Sequence, residues 1–202
     1  MTSEGLDEKT INRDPIAQFQ AWFNDAIAAK LPLPEAMTLA TATPDGRPSA
    51  RMVLLKQVDD EGFVFFTNYN SVKAAQLDAN PFAALVFYWS TLDRQVRVEG
   101  SVMRTSAQES RDYFKTRPRE SQIGAWASAQ SEAIASREAL EQRARELEAL
   151  YRDCEVDCPE HWGGYRLKPE RIEFWKSRIG RLHDRILYQR DGDHWTITRL
   201  SP

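Results

Sequence analysis

Cations and hydroxyls recur along this chain at spacings that suit anion binding. Arg51 and Lys56 bracket the apolar stretch MVLL. Alternation in an extended strand sends Arg51, Val53 and Leu55 to one face and Met52, Leu54 and Lys56 to the other. A cation in a buried strand costs energy unless an anion or a hydrogen-bond acceptor meets it. The pair either marks the two ends where the strand leaves the core, with its heads snorkelling to water, or faces a bound anion. Lys73 falls in the first turn of a short helix capped by Ser71, where the helix dipole disfavours a cation and a bound phosphate would reverse that penalty. Tyr113 and Arg117 lie one turn apart at a helix end, with Ser121 just beyond. Two hydroxyls and a guanidinium make good phosphate ligands, and a surface turn closing a helix would use the same residues. Arg181, His183 and Arg185 alternate and share one face if they lie in a strand, where a histidine between arginines suits a hydrogen-bonding ring near anions.

Bulk composition narrows the classes. The chain has 202 residues, 42% hydrophobic and 28% charged, with a net charge of −3. This describes a soluble globular domain with a real core and without the global basic field of a nucleic-acid binder. No run is long enough to span a membrane, and MTSEGLDEKTINRD is polar and acidic, so a cytoplasmic protein is expected. Cys154 and Cys158, with only His161 nearby, are weak as a zinc site, and no metal is expected. GxGxxG, GxxxxGK[ST] and HExxH are absent.

The elements that must position these residues are mostly strands. Residues 1–13 read as a flexible N-terminal arm and 14–202 as a single domain. Asp14 and Pro15 open an amphipathic helix with Ile16, Phe19, Phe23 and Ile27 on its buried face. Residues 36–68 read as three strands joined by the turns PDGR and DDEG. PFAALVFYWS and RQVRVEGSVMR follow as two more, and short connections make the set antiparallel, a barrel or a strongly coiled sheet. SAQE at 106–109 is a capping box, ending in a break at Arg117-Pro118-Arg119. From Ser136 a solvated outer helix carries Leu140, Ala144, Leu147 and Tyr151, with Glu141 and Arg145 able to pair. WGGYRLKP and ERIEFWKS read as two strands, and RLHDRILYQR turns at Asp191-Gly192 to pair with HWTITRL. The fold class is mainly β with flanking helices.

RMVLLK, FFTN, RQVRVEG, YFKTRPRESQIGAW, QSEAI, WGGYRL, IEFW and RLHDRILYQR, in this order, resemble the pyridoxine (pyridoxamine) 5′-phosphate oxidase family over nearly the whole chain. The resemblance implies an FMN-binding split β-barrel, a homodimer with the flavin at the subunit interface. By position, Arg51, Met52, Val53, Leu54, Leu55 and Lys56 would line the flavin, with Arg51 and Lys73 on its phosphate. Phe66, Thr67, Gln95, Gln130, Ser131, Trp175 and Arg185 would complete that site, some from the partner subunit. Lys56, Tyr113, Arg117 and Ser121 would hold the substrate phosphate. Arg181, Leu182 and His183 would hold the pyridine ring, with Arg181 and His183 in the catalytic role. The implied reaction oxidises pyridoxamine or pyridoxine 5′-phosphate to pyridoxal 5′-phosphate with oxygen as final acceptor, releasing hydrogen peroxide, in vitamin B6 salvage or biosynthesis.

Three features depart from that family pattern. Val72 stands where many members carry arginine, which predicts FMN binding weaker by about 1–2 kcal/mol. The arm lacks the Arg and Tyr that in some members fold over the substrate, and KSRIG after Trp175 is unusually basic. Competing expectations are a phenazine-type flavin oxidase, similar in the first two-thirds of the chain, and a flavin- or pyridoxal-phosphate-binding carrier. An oligonucleotide-binding barrel lacks the basic surface and stacking pattern it would need.

Overall fold

A computed structural model describes residues 5–202. Among the described residues nine strands form one antiparallel sheet, flanked by five α-helices. The mainly β architecture with flanking helices is therefore as expected. Helix α1 (Pro15–Ala28) starts where the Asp14 side chain accepts the Ile16 N–H and Pro15 presets the first turn. Its buried face is Ile16, Phe19, Trp22 and Ala26; Ile27, expected inside, is 51% exposed. Phe19 is fully buried, with its ring 4.9 Å from those of Phe63 and Phe87, so the helix plugs the concave side of the sheet.

The stretch 36–68 makes four strands rather than three: β1 (Ala36–Ala42), β2 (Pro48–Leu54), β3 (Gln57–Asp59) and β4 (Gly62–Asn68). The apolar run is broken because its two halves pair with different partners. β2 pairs with β1, while β3 pairs with β4. Between them the Leu55 N–H donates to Glu35 O and the Lys56 N–H to Val64 O. β5 (Phe82–Trp89), β6 (Arg94–Arg104) and β7 (Trp162–Lys176) complete the path β2-β1-β5-β6-β7-β4-β3. Its two end strands are joined by two residues of chain, so the sheet must curl back on itself. Leu55 sits in the core at that junction while Lys56 stays exposed.

β7 is one 15-residue strand, not the two expected, because β6 pairs with it from Tyr165 to Lys176, while β4 and then β8 pair with its other edge on either side of Pro169. Pro169 is accommodated at a register shift opposite Glu99/Gly100. β8 (Asp184–Asp191) and β9 (His194–Arg199) form the terminal hairpin on β7, turned at Gly192 with φ 59°.

The remaining helices are α2 (Val72–Ala79), α3 (Ala107–Thr116), α4 (Arg119–Ala127) and α5 (Arg137–Leu150). The Ser106–Glu109 capping box is formed on both sides. On α5 the one-turn ion pair is Arg137–Glu141 at 2.8 Å; Arg145 donates to Gln142 instead of meeting Glu141. No helix among the described residues is long and apolar enough to cross a membrane.

Of the expected flexible arm, residues 1–4 lie outside the described residues, and residues 5–13 are docked. The Leu6 N–H donates to Asp184, Glu8 pairs with Arg199, and Ile11 is buried in the main core. The reason is polar as much as apolar: Tyr188 Oη donates to Asn12 O and Gln18 Oε1 accepts the Asn12 N–H.

Candidate functional site

A cavity of about 590 Å³ opens between β2, β4 and the α3–α4 corner. That is the size of a small-molecule or cofactor site. Met52, Val53 and Leu54 supply one wall from β2, and Phe66 and Thr67 another from β4. Phe66, Tyr113 and Trp162 form a cluster of near-parallel rings, with Phe66 4.1 Å from Tyr113 and 5.3 Å from Trp162 between centroids, which ties α3 to the sheet. Gly163 has to be glycine beside this stack, since a Cβ there would lie 2.2 Å from Tyr69 Oη.

Lys56, Lys73 and Arg117 line the cavity, and among the described residues no carboxylate does. Lys56 reaches it because the β2–β3 junction leaves its side chain free of the sheet. Lys73 Nζ donates to Gln130 Oε1 at 2.6 Å, Thr67 Oγ1 at 3.2 Å and Ser71 Oγ at 3.3 Å. Burial, together with the nearby Arg51 charge, pushes the Lys73 ammonium below its ordinary value. Arg51 lies behind the lining, held by Leu39 O at 3.1 Å, Thr41 Oγ1 at 2.7 Å and Gln76 Oε1 at 3.4 Å. Burial lowers its pKa too. Among the described residues both cations thus hydrogen-bond neutral acceptors only, a cluster whose charge is left for an anion to satisfy.

Arg117 is the most exacting member. Its guanidinium carbon lies 4.7 Å from the Trp162 centroid and 5.5 Å from that of Phe114. Its Nη1 is buried and has no hydrogen-bond partner among the described residues. Tyr113 and Ser121 flank it along the cavity wall. Ser121 stands in the first turn of α4 rather than just past α3, because Pro118 ends one helix and caps the next.

Of the residues expected at the cofactor and substrate sites, Met52, Val53, Leu54, Lys56, Phe66, Thr67, Lys73, Tyr113, Arg117, Ser121 and Gln130 line one cavity in the structure. Arg51 and Ser131 support it from behind, Ser131 Oγ accepting the Val72 N–H at 3.3 Å. Leu55 is a core residue and does not line it. Trp162, Asn68, Ser128 and Thr116 line it and were not foreseen. For Trp162 a signal existed, an aromatic heading a Gly-Gly strand start, but its partner Arg117 is 45 residues away in sequence.

Gln95, Trp175, Arg181, Leu182, His183 and Arg185 do not line this cavity. Gln95, Trp175 and Arg185 are register neighbours across β6, β7 and β8, on the face of the sheet opposite the core row Val96, Phe174 and Ile186. Arg185 donates to both Glu173 oxygens, at 2.7 and 3.1 Å, and to Ser201 O. Arg181, His183 and Arg185 do not share a strand face, as β8 begins only at Asp184. Gly180 and Arg181 both take left-handed φ, 72° and 61°, which breaks the extended run. His183 instead packs on Trp175, with ring centroids 4.6 Å apart.

Both cysteines are free thiols; Cys158 is half-buried, and burial raises its pKa. Among the described residues no cluster of three His, Cys, Asp or Glu side chains could hold a metal.

Comparison with known proteins matches residues 23–151 to the family model described as pyridoxamine 5′-phosphate oxidase. Residues 162–202 match that of the pyridoxine 5′-phosphate oxidase C-terminal dimerisation region. The chain is 57% identical to the pyridoxine/pyridoxamine 5′-phosphate oxidase of Nostoc sp. strain PCC 7120, over 100% of this chain and 94% of that one. It is 58% identical to that of Paraburkholderia xenovorans, over 98% and 93%. Among solved structures it is similar to PhzG from Burkholderia lata 383 in complex with tetrahydrophenazine-1-carboxylic acid. The TM-score is 0.93, the identity 33%, and all of both chains is covered, so this likeness extends beyond the two-thirds expected. A pyridoxamine 5′-phosphate oxidase-related protein of Nostoc punctiforme, 18% identical with a TM-score of 0.73 over 91% of this chain and 97% of that one, shares the fold.

Proposed function

The chain belongs to the pyridoxamine 5′-phosphate oxidase family and has its split-barrel fold, and on that premise we propose that it oxidises pyridoxamine or pyridoxine 5′-phosphate to pyridoxal 5′-phosphate with bound FMN. The observation that carries this reading is a cavity lined, among the described residues, by three cations and no carboxylate, with one buried guanidinium nitrogen unpartnered there. Two phosphorylated ligands, cofactor and substrate, would satisfy two separate groups of donors.

FMN fits the first group. Lys73 and Arg51, with the Ser71 and Thr67 hydroxyls, would hold its phosphate, and the β2 backbone with Met52, Val53 and Leu54 would meet the ring. When bound, FMN supplies the two-electron acceptor that takes hydride from the substrate 4′ carbon and passes electrons to oxygen, giving hydrogen peroxide. The second group fits the substrate phosphate. Arg117 offers a pre-desolvated guanidinium held rigid by Trp162, Tyr113 and Ser121 offer hydroxyls, and Lys56 adds a mobile charge.

Arg181, Leu182 and His183 would orient the pyridine ring, with orientation as the main contribution. Because they and Gln95, Trp175 and Arg185 stand away from the cavity of their own chain, the reading requires a homodimer in which each site draws on both subunits. The match of residues 162–202 to a dimerisation region supports this. So does the exposed apolar character of the outer sheet face, where Met52 and Tyr88 are 62% and 63% exposed. Val72 at the α2 N-terminus adds no charge to the phosphate group, and FMN affinity lower than that of arginine-bearing members is the expected consequence.

The test is an absorbance spectrum of the purified protein, then pyridoxamine 5′-phosphate added with oxygen excluded. Bleaching of a flavin band supports cofactor and donor together. A flavin band that survives this substrate but bleaches with a reduced phenazine carboxylic acid would transfer the assignment to the phenazine-type reaction, which the PhzG likeness favours. A flavin band that neither compound bleaches would leave a carrier.

A further inference from the structure

The loop between β7 and β8 carries Arg181, Leu182 and His183, and its tip is unusually exposed: Ile179 is 96% and Leu182 71% accessible. Arg181 in the left-handed region is a strained conformation for a side chain with a Cβ, so something must hold the loop at its base. That base is an ion-pair chain reaching the N-terminal arm. Asp184 Oδ2 accepts the Leu6 N–H at 3.1 Å and faces Arg178 Nε at 3.4 Å. Its Oδ1 accepts from Arg199 Nη1 at 2.8 Å. Arg199 in turn donates to Glu8 at 2.6 Å and to Leu6 O at 2.6 Å. On the loop side, the Arg178 N–H donates to His183 Nδ1 at 3.2 Å, which leaves Nε2 as the ring's proton-bearing nitrogen in its neutral form.

We infer that Asp184 is a positioning residue: it latches the N-terminal arm and strand β9 onto the β7–β8 loop and thereby fixes where Arg181, Leu182 and His183 stand. The arm acts from behind the loop, through Leu6 and Glu8. This inference rests on the role proposed above for those three residues. The chemistry of the latch explains the basic run KSRIG, for which the sequence by itself offered no reason. Arg178 is the loop's own contribution to the ion-pair chain, and Gly180 supplies the left-handed turn.

The test uses the full-length, FMN-loaded protein and the variants Asp184→Asn and Glu8→Gln. Glu8 is at the surface, so its variant keeps the test alive if Asp184→Asn does not fold. Backbone hydrogen exchange over residues 177–183 should speed at least fivefold in Asp184→Asn, and less in Glu8→Gln, while exchange in β4 and β6 is unchanged. The limiting rate of anaerobic flavin reduction by pyridoxamine 5′-phosphate should fall about tenfold in Asp184→Asn, with the FMN dissociation constant within about twofold of wild type. Combining the two substitutions should add little to the loss from Asp184→Asn, since both cut one chain of contacts. Unchanged loop exchange in either folded variant overturns the latch, as does an increase spread evenly over the sheet. A wild-type protein that pyridoxamine 5′-phosphate does not reduce would overturn the proposed reaction, while the exchange measurement still decides the latch.

Discussion

Arg117 lies against Trp162, guanidinium carbon 4.7 Å from the ring centroid, with its Nη1 buried and unpartnered among the described residues. Burial depresses its pKa, and the protein keeps it there although an apolar side chain would suit the apoprotein better. Function and stability therefore pull in opposite directions at this position. Arg117→Met should raise the melting temperature of the apoprotein slightly. It should also raise KM for pyridoxamine 5′-phosphate by about 10- to 100-fold, the cost of a charge-assisted hydrogen bond. Calorimetry beside steady-state kinetics checks both signs; a fall in both stability and affinity would make Arg117 a structural residue.

Lys73 gives a pH signature. Its pKa lies below the ordinary 10.5, chiefly through burial and then through Arg51. At pH values between its folded and unfolded pKa the unfolded chain holds the proton and the folded chain does not. Apoprotein stability attributable to Lys73 therefore rises with pH across that window. FMN binding runs the other way, since its phosphate needs the ammonium. Fluorescence titration should show FMN affinity falling as pH climbs toward 10.5, and Lys73→Met should bind weakly with that alkaline limb flattened.

Arg166 holds the frame that presents Lys56 and Tyr113. It is buried and donates to Asp59 on β3 and to Glu109 at 3.2 Å on α3. Removing it leaves partly exposed carboxylates without their cation, and Arg166→Met should lose about 1 kcal/mol in urea unfolding. Asp59 sits below its ordinary value although burial alone would raise it, because Arg166 and Gln57 more than offset burial; Glu109 is lowered mainly by Ser106, with Arg166 contributing. Depressed carboxylates contribute stability above their unfolded values and lose it as pH falls through the folded ones. The wild type should lose that contribution below about pH 4, and Arg166→Met should show a shallower acid limb.

The proposed division of the site between two subunits makes a complementation test. Lys56→Met and His183→Ala homodimers should each be nearly inactive. Mixed after dissociation, heterodimers would contain one site with both residues intact and should regain up to about half of wild-type activity per dimer. No recovery, with heterodimers verified by mass, would place Lys56 and His183 in the same single-chain site.

Phe19 anchors α1 in the sheet's concave face, and Phe19→Ala should cost about 3–5 kcal/mol by leaving a cavity among Phe63, Phe87 and Trp89. Denaturant unfolding checks the size.

Local chemistry was enough to determine much of this protein. Asp14-Pro15, Ser71, the Ser106–Glu109 box and Asp191-Gly192 mark element ends through contacts a few residues long, and each stands where the sequence puts it. Lys56 and Lys73 stood out because a charge in an apolar run or at the wrong end of a helix is anomalous without knowledge of the fold, whereas Tyr113, Arg117 and Ser121 read equally as a surface turn and were assigned to a site through the family resemblance. Only the tertiary structure decided the rest. The break after Leu54 exists because the chain crosses from one end of the sheet path to the other, and β7 runs unbroken past Pro169 because β6 pairs with it on both sides of that residue. Trp162 meets Arg117, and Glu8 meets Arg199, across separations that no period or spacing encodes. The same holds for the division of the predicted residues between a cavity and an outer sheet row. Side-chain alternation fixes which face each residue takes within its own strand, but curling of the sheet decides which faces come to surround one space.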